Sequence, residues 1–186
     1  MMNSKSKLTV TILSVIIIAV LLGFIYDIIM TGFEKRDYPI EYEAEIAEAH
    51  EKYGVPKHII LAVIKTESDF DADAESNAGA FGLMQLMPET FTDMTGIDNV
   101  EGYITDPSFN IDAGVHYLAY LYDRYGDWET VYAAYNAGLG NVDKWLEDKE
   151  YSSDGKKLDE IPFPETRAYV RKVSSAAKIY KRLYFK

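Results

Sequence analysis

From Ile40 onward, apolar residues return at every third or fourth position, and proline or glycine stands at nearly every break. That spacing is the period of an α-helix, so each segment can bury one stripe of side chains. No segment shows the clear alternation of a half-buried strand, and residues 98–105 are too few to classify. The expected fold is all-α. Tyr42, Ile46, Ala49 and Tyr53 make one stripe, which Gly54 ends. Pro56 suits the first turn of the next helix. Pro88 opens a short helix that ends at Gly96. Asp106 and Pro107 read as N-cap and first turn of a long helix through Ala113, Tyr117, Leu121 and Tyr125, stopped by Gly126. Asp127 should cap a helix through Trp128, Val131 and Tyr135, and Asn141 a short one through Trp145. Residues 148–162 read as a long polar loop, and Pro164 opens a last helix through Tyr169, Val173, Ala176, Ala177 and Tyr180. There is no repeat of solenoid length.

The N-terminus has a different character. Lys5 and Lys7 precede an apolar run over residues 8–30, interrupted only by Asp27. About 20 apolar residues cross a bilayer as a helix. A cleaved signal peptide needs a shorter apolar core and an A-x-A-like site, and Tyr26-Asp27-Ile28-Ile29-Met30-Thr31-Gly32 offers none. The reading is an uncleaved single-pass anchor in the cell membrane. Residues 1–7 would be cytoplasmic, 8–30 would span, 31–39 would be a tether, and 40–186 would form an extracytoplasmic domain. Glu34, Lys35 and Arg36 blur the charge asymmetry. A nine-residue tether reaches at most about 30 Å, which keeps the domain close to the membrane.

The net charge of −11 argues against a nucleic-acid partner, which needs a basic face. The chain has no cysteine, so disulfides, thiol catalysis and thiolate-ligated zinc are excluded. The last helix is basic, with Arg167, Arg171, Lys172, Lys178, Lys181, Arg182 and Lys186 and no acid after Glu165. Contact with an anionic surface is one reading. A solvated face balancing an acidic domain is the other, and the simpler. Oligomeric state cannot be read from the sequence.

Glu67 is the residue out of place. Ile60, Val63, Ile64 and Glu67 share one side of a helix at i, i+3, i+4 and i+7. A carboxylate at the end of a core-facing stripe either has a partner or keeps its proton, because burying its charge is costly. The alternative is a surface glutamate held by Lys65 or water.

Three segments together resemble the soluble-lytic-transglycosylase-like family of peptidoglycan-cleaving enzymes and, more remotely, goose-type lysozyme. They are Glu67-Ser68 followed by Gly79-Ala80-Phe81-Gly82-Leu83-Met84-Gln85-Leu86-Met87-Pro88, then Ala133-Ala134-Tyr135-Asn136-Ala137-Gly138, then Pro164-Glu165-Thr166-Arg167-Ala168-Tyr169-Val170. The likeness runs from about Ala44 to Tyr180. Where the family often has proline after the second segment, this chain has Leu139, which bears on loop stiffness. The resemblance implies a lysozyme-like domain acting on peptidoglycan glycan strands. In similar enzymes the glutamate matching Glu67 is the sole catalytic acid and base.

An apolar setting and a helix C-terminus would both hold the Glu67 carboxyl protonated, as proton donation to a glycosidic oxygen requires. Most glycosidases use two carboxylates. Asp69, Asp71, Asp73 and Glu75 read as exposed loop, so a second one is not evident. The resemblance implies instead a substrate-assisted route to a 1,6-anhydromuramoyl product, with Tyr135 as an electron-rich neighbour. It also implies substrate contacts at Ser76, Gln85, Met87, Tyr135, Asn136, Glu165 and Tyr169. Simpler readings stand beside these: a loop serine bonding its own backbone for Ser76, core packing for Met84, a helix cap for Asn136, and a first-turn acid for Glu165. Most of the 15 tyrosines are expected to be half-buried core residues. His50, His58 and His116 lack ligand spacing, so neither metal nor cofactor is expected. A hydrolytic muramidase and a non-catalytic glycan-binding scaffold are the rival readings.

Overall fold

The structure is a computed structural model that describes residues 4–185, with the side chains of residues 4–11 and 14 outside that description. The expected cytoplasmic segment 1–7 therefore falls partly outside the described residues, as do the Lys5, Lys7 and Lys186 side chains. The chain divides into two compact units, Met1–Pro39 and Ile40–Lys186.

The first unit contains one helix among its described residues, α1 (Ser4–Asp37). Its stretch Val15–Asp37 is long and apolar enough to cross a bilayer, and none of it is buried in the protein. The helix continues through most of the segment read as a short tether. Nothing between Met30 and Asp37 breaks a helix strongly, and Tyr38 N still donates to Glu34 O at 2.9 Å. Pro39 ends the run by disfavouring helical backbone in the residue before it.

The second unit holds α2 (Glu43–Tyr53), α3 (Lys57–Glu67), α4 (Pro88–Thr95), α5 (Pro107–Tyr125), α6 (Trp128–Ala137), α7 (Leu139–Glu147) and α8 (Pro164–Tyr184). Among the described residues there is no strand, only two isolated bridges, Glu75 with Phe81 and Phe81 with Leu86. The fold is all-α, as the periodicity requires. Helix α3 runs through its middle. Ile59, Ile60, Leu61, Ala62, Val63 and Ile64 are buried in succession, so this helix is covered on every side rather than along one stripe. Each of the Ile, Leu and Val side chains among them contributes roughly 1.5–3 kcal/mol on burial. Helix α8 packs against α3 and α6, laying Val173, Ala176, Ala177 and Tyr180 into the core, and α5 packs against α2, α4 and α6.

The helix ends follow local chemistry. Asp106 accepts from the backbone N–H of Ser108 and Phe109, and Asp127 from that of Thr130. Gly54, Gly96 and Gly126 stand where α2, α4 and α5 stop. Two boundaries differ from expectation. Pro56 is the N-cap of α3 rather than part of its first turn. Gly138 caps α7, while Asn141 lies inside it and donates to Ala137 O at 2.7 Å, tying α7 to the end of α6. Leu139 is the first residue of α7, a position that also accepts proline, so its side chain leaves the turn intact.

Candidate active site

Glu67 is the last residue of α3, and the chain turns sharply after it. Asp69 and Phe70 both adopt left-handed backbone, with φ of 54° and 68°. For a bulky buried residue such as Phe70 this conformation is strained and persists only where the surroundings enforce it. Ser68 does part of this, donating its hydroxyl to Leu83 O at 2.8 Å and so fastening the end of α3 to the Gly-rich loop. Lys65 pairs with Asp69, four residues on. It is therefore engaged away from Glu67, and the reading of Glu67 as a lysine-held surface acid loses its partner.

The Glu67 carboxylate accepts a hydrogen bond from Tyr169 Oη at 2.6 Å, across 102 residues of sequence. Tyr169 comes from the second turn of α8 and is only 8% exposed. Burial pushes the Glu67 carboxyl up to about 7, and the Tyr169 hydrogen bond, which favours the charged form, opposes this. Tyr135 lies near the same carboxylate. Burial first, and then the Glu67 charge, hold both phenols well above the usual tyrosine value. The Tyr135 hydroxyl donates to Met84 O at 2.8 Å, so its proton is directed to the backbone and its oxygen lone pairs remain.

The loop that carries Met84 is locked by Asn110, a fully buried residue of α5. Its Oδ1 accepts from Met84 N at 2.8 Å, and its Nδ2 donates to Phe81 O at 3.1 Å and Ile104 O at 2.6 Å. Gly82 makes this possible. Its φ is +74°, and a Cβ there would stand 2.5 Å from Asn110 Nδ2 and 2.9 Å from Ile104 O. At Gly114 a Cβ would overlap the Met84 side chain, so this glycine lets α5 lie against the loop. Met84 itself is fully buried, as core packing requires.

The remaining expected site residues divide. Gln85 has left-handed backbone, φ 47°, and its amide donates to Ala74 O and Gly82 O, both at 3.0 Å. The amide N–H is thus used by the loop, and the side-chain oxygen is what Gln85 can offer a ligand. Ser76 Oγ accepts from Ala80 N at 3.0 Å, the local bond foreseen for a loop serine, and its own hydroxyl proton remains to donate. Met87 is 44% exposed at the start of α4. Asn136 is exposed near the end of α6, and Glu165 is exposed in the first turn of α8, one turn before Tyr169. The structure therefore brings Glu67, Tyr135, Tyr169 and the Met84 carbonyl together. Ser76, Gln85, Met87, Asn136 and Glu165 make no hydrogen bond with Glu67.

Sequence reasoning missed Asn110. A signal existed, because Asn110, Ala113 and Tyr117 share the i, i+3, i+7 stripe of α5, and a polar residue on a core stripe must find partners. The strain at Asp69 and Phe70 left no such mark. The histidines pack helices: His50 Nδ1 is 2.8 Å from Val55 O and His116 Nδ1 is 3.0 Å from Met94 O.

Comparison with known proteins meets this geometry. Residues 44–158 match the transglycosylase SLT domain family. The soluble lytic murein transglycosylase of Escherichia coli (strain K12) is 33% identical over 151 residues, covering 77% of this chain and 23% of that protein. Membrane-bound lytic murein transglycosylase C of Cronobacter sakazakii is 32% identical over 182 residues, covering 84% of this chain and 50% of that protein. The chain thus spans about a quarter of the soluble relative and half of the membrane-bound one. Among solved structures, the 70 kDa soluble lytic transglycosylase of Escherichia coli superposes with a TM-score of 0.70 at 29% identity, covering 82% of this chain and 26% of that one. An inactive mutant of the lytic transglycosylase Slt from Pseudomonas aeruginosa gives 0.66 at 33% identity, over 78% of this chain and 24% of that one. By sequence over more than half its length, and by fold, this chain belongs to the transglycosylase SLT domain family.

Proposed function

We propose that the domain is a lytic transglycosylase that cleaves the β-1,4 bond between N-acetylmuramic acid and N-acetylglucosamine in peptidoglycan. Glu67 would be its only acid and base. The observation that carries this reading is the state of the Glu67 carboxyl: raised to about 7 by burial, with a phenol as its hydrogen-bond partner and no carboxylate among the groups that shift it.

The chemistry follows from that state. Protonated Glu67 gives its proton to the glycosidic oxygen as the bond to the anomeric carbon breaks. With no second acid beside it among the described residues, the positive charge at that carbon is met by the substrate's own acetamido oxygen and by the lone pairs of Tyr135 Oη. The Glu67 carboxylate, steadied by Tyr169, then removes the proton of the muramoyl C6 hydroxyl. That oxygen attacks the anomeric carbon and closes a 1,6-anhydro ring. The proton is back on Glu67, and no water has been consumed. Ser76, Gln85, Met87, Asn136 and Glu165 are assigned as the surrounding sugar contacts. The N-terminal helix serves as a single-pass anchor with the domain on the extracytoplasmic side, a reading supported by the length and apolar character of Val15–Asp37.

Mass spectrometry of digested cell wall tests the reaction. The expected products are 1,6-anhydromuropeptides from the wild-type chain and none from Glu67→Gln. Hydrated reducing ends would make the domain a muramidase. Undiminished product from Glu67→Gln would remove Glu67 from the mechanism.

A further inference from the structure

A hollow of about 270 Å³ lies between α3, α6 and α8 and has no part in the chemistry above. Helix α8 supplies Ser174, Lys178 and Lys181 to its wall, α3 supplies His58, and α6 supplies Trp128 and Glu129. Ser174 Oγ is buried without a hydrogen-bond partner, and among the described residues it is the only such side-chain atom. A buried hydroxyl in that condition is uncommon and calls for an acceptor. Lys178 and Lys181 are exposed and, among the described residues, belong to no ion pair. Burial and the nearby Lys181 ammonium push the His58 imidazole down, so its ring offers a neutral N–H.

These groups share one demand. Two ammonium groups and an imidazole are donors set around one small space by two helices, with the unpartnered Ser174 hydroxyl buried behind its wall. A carboxylate has two oxygens in a plane, whereas a phosphate ester presents several in a tetrahedron and accepts from several directions. The Trp128 ring gives the carbon part of an ester an apolar wall. The surroundings agree in sign. Helix α8 carries Arg167, Arg171, Lys172, Lys178, Lys181 and Arg182 against the single acid Glu165, in a chain of net charge −11. Glu129 is the one acid on the wall and works against an anion. We infer that the hollow between α3, α6 and α8 is a binding site for a phosphate-ester group. The group is either the headgroup of an anionic phospholipid or a soluble phosphate ester. The site lies outside the glycan-cleaving machinery and is independent of it.

The test uses the full chain in neutral detergent, read through the Trp128 indole N–H and the Ser174 amide by NMR. Titration with glycerol 1-phosphate should shift both signals saturably, while sodium chloride at equal ionic strength should not. Lys178→Gln with Lys181→Gln should weaken binding about tenfold or more, Ser174→Ala should weaken it severalfold, and Glu129→Gln should tighten it. A second arm places the chain in nanodiscs of phosphatidylglycerol or of phosphatidylcholine. The same shifts only in phosphatidylglycerol identify a lipid headgroup as the source, and shifts only with glycerol 1-phosphate identify a soluble ester. Three results would overturn the inference: no saturable shift in either arm, a shift matched by the salt control, or a shift that survives loss of both lysines. Anhydromuropeptide release, measured in parallel, reports on Glu67 and is expected to be the same in all these variants.

Discussion

A carboxyl that titrates near 7 makes this domain sensitive to pH in two separable ways. In the unfolded chain Glu67 is an ordinary glutamate with a value near 4.5, and in the folded chain burial lifts it to about 7. The folded state therefore holds a proton that the unfolded state has released. Folding stability should fall as pH rises between these two values and level off above the upper one. Glu67→Gln removes the charge and keeps the shape. This variant should melt at a higher temperature than the wild type at pH 8, and the difference should shrink towards pH 4.5. Calorimetry across that range decides it, and an equal difference at both ends would mean the carboxyl is not held protonated. Activity of the same variant should drop by at least about 100-fold. Tyr169 bears on the proton from the other side. Its hydrogen bond favours the charged form, so Tyr169→Phe should move the alkaline limb of the pH–rate profile upward while lowering the maximal rate. A downward or absent shift would show that the bond does not control this proton.

The Gly82–Met87 turn has no regular structure of its own, yet it sets where the Tyr135 hydroxyl points. It is held from α5 by Asn110 and from the end of α3 by Ser68. Gly82→Ala meets both a left-handed backbone and a blocked space, and should cost about 2–4 kcal/mol with loss of activity. Asn110→Leu keeps the volume and strands the Met84 N–H and the Ile104 carbonyl, while Phe81 O keeps its bond from Leu86 N. Each buried orphan costs about 1–3 kcal/mol, and urea melts should show the sum. A wild-type melt for Asn110→Leu would mean that water can replace the amide. The elements that present this turn were legible in sequence. Asp106 and Asp127 announced α5 and α6, the breaks at Gly54, Gly96 and Gly126 were where they were read, and the Glu67 stripe placed the acid at a helix end. What was not legible has a physical pattern. Partners separated by many residues, such as Tyr169 with Glu67 and Asn110 with Met84, leave no local period. Glycine at position 82 shows that a Cβ is unwelcome without showing what excludes it. The run of burial in α3 exceeded one stripe because α2 and α8 both pack against it, a fact of assembly rather than of sequence.

The division of the chain at Pro39 separates two kinds of stability. Among the described residues, the buried side chains of the core all lie in the unit Ile40–Lys186, and the aliphatics of α1 are exposed. The domain's folding free energy should therefore not depend on α1. Residues 40–186 expressed alone should melt within about 2 °C of the full chain and release anhydromuropeptides from soluble glycan strands at the same rate. Location should change. Water does not tolerate a row of unburied residues such as Ile16, Ile17, Leu21, Leu22 and Phe24, and a bilayer does. The full chain should remain in the membrane pellet through a carbonate wash, with an intact mass that includes Lys5, and residues 40–186 should remain in the supernatant. A mature chain that begins after Gly32 would make the helix a cleaved leader. A 40–186 product that melts well below the full chain would mean that α1 contributes to the fold. If instead the shortened domain keeps its rate on soluble strands but loses it on intact wall, α1 acts through proximity. Held near the membrane, the active site meets the glycan layer at a local concentration that a diffusing domain lacks.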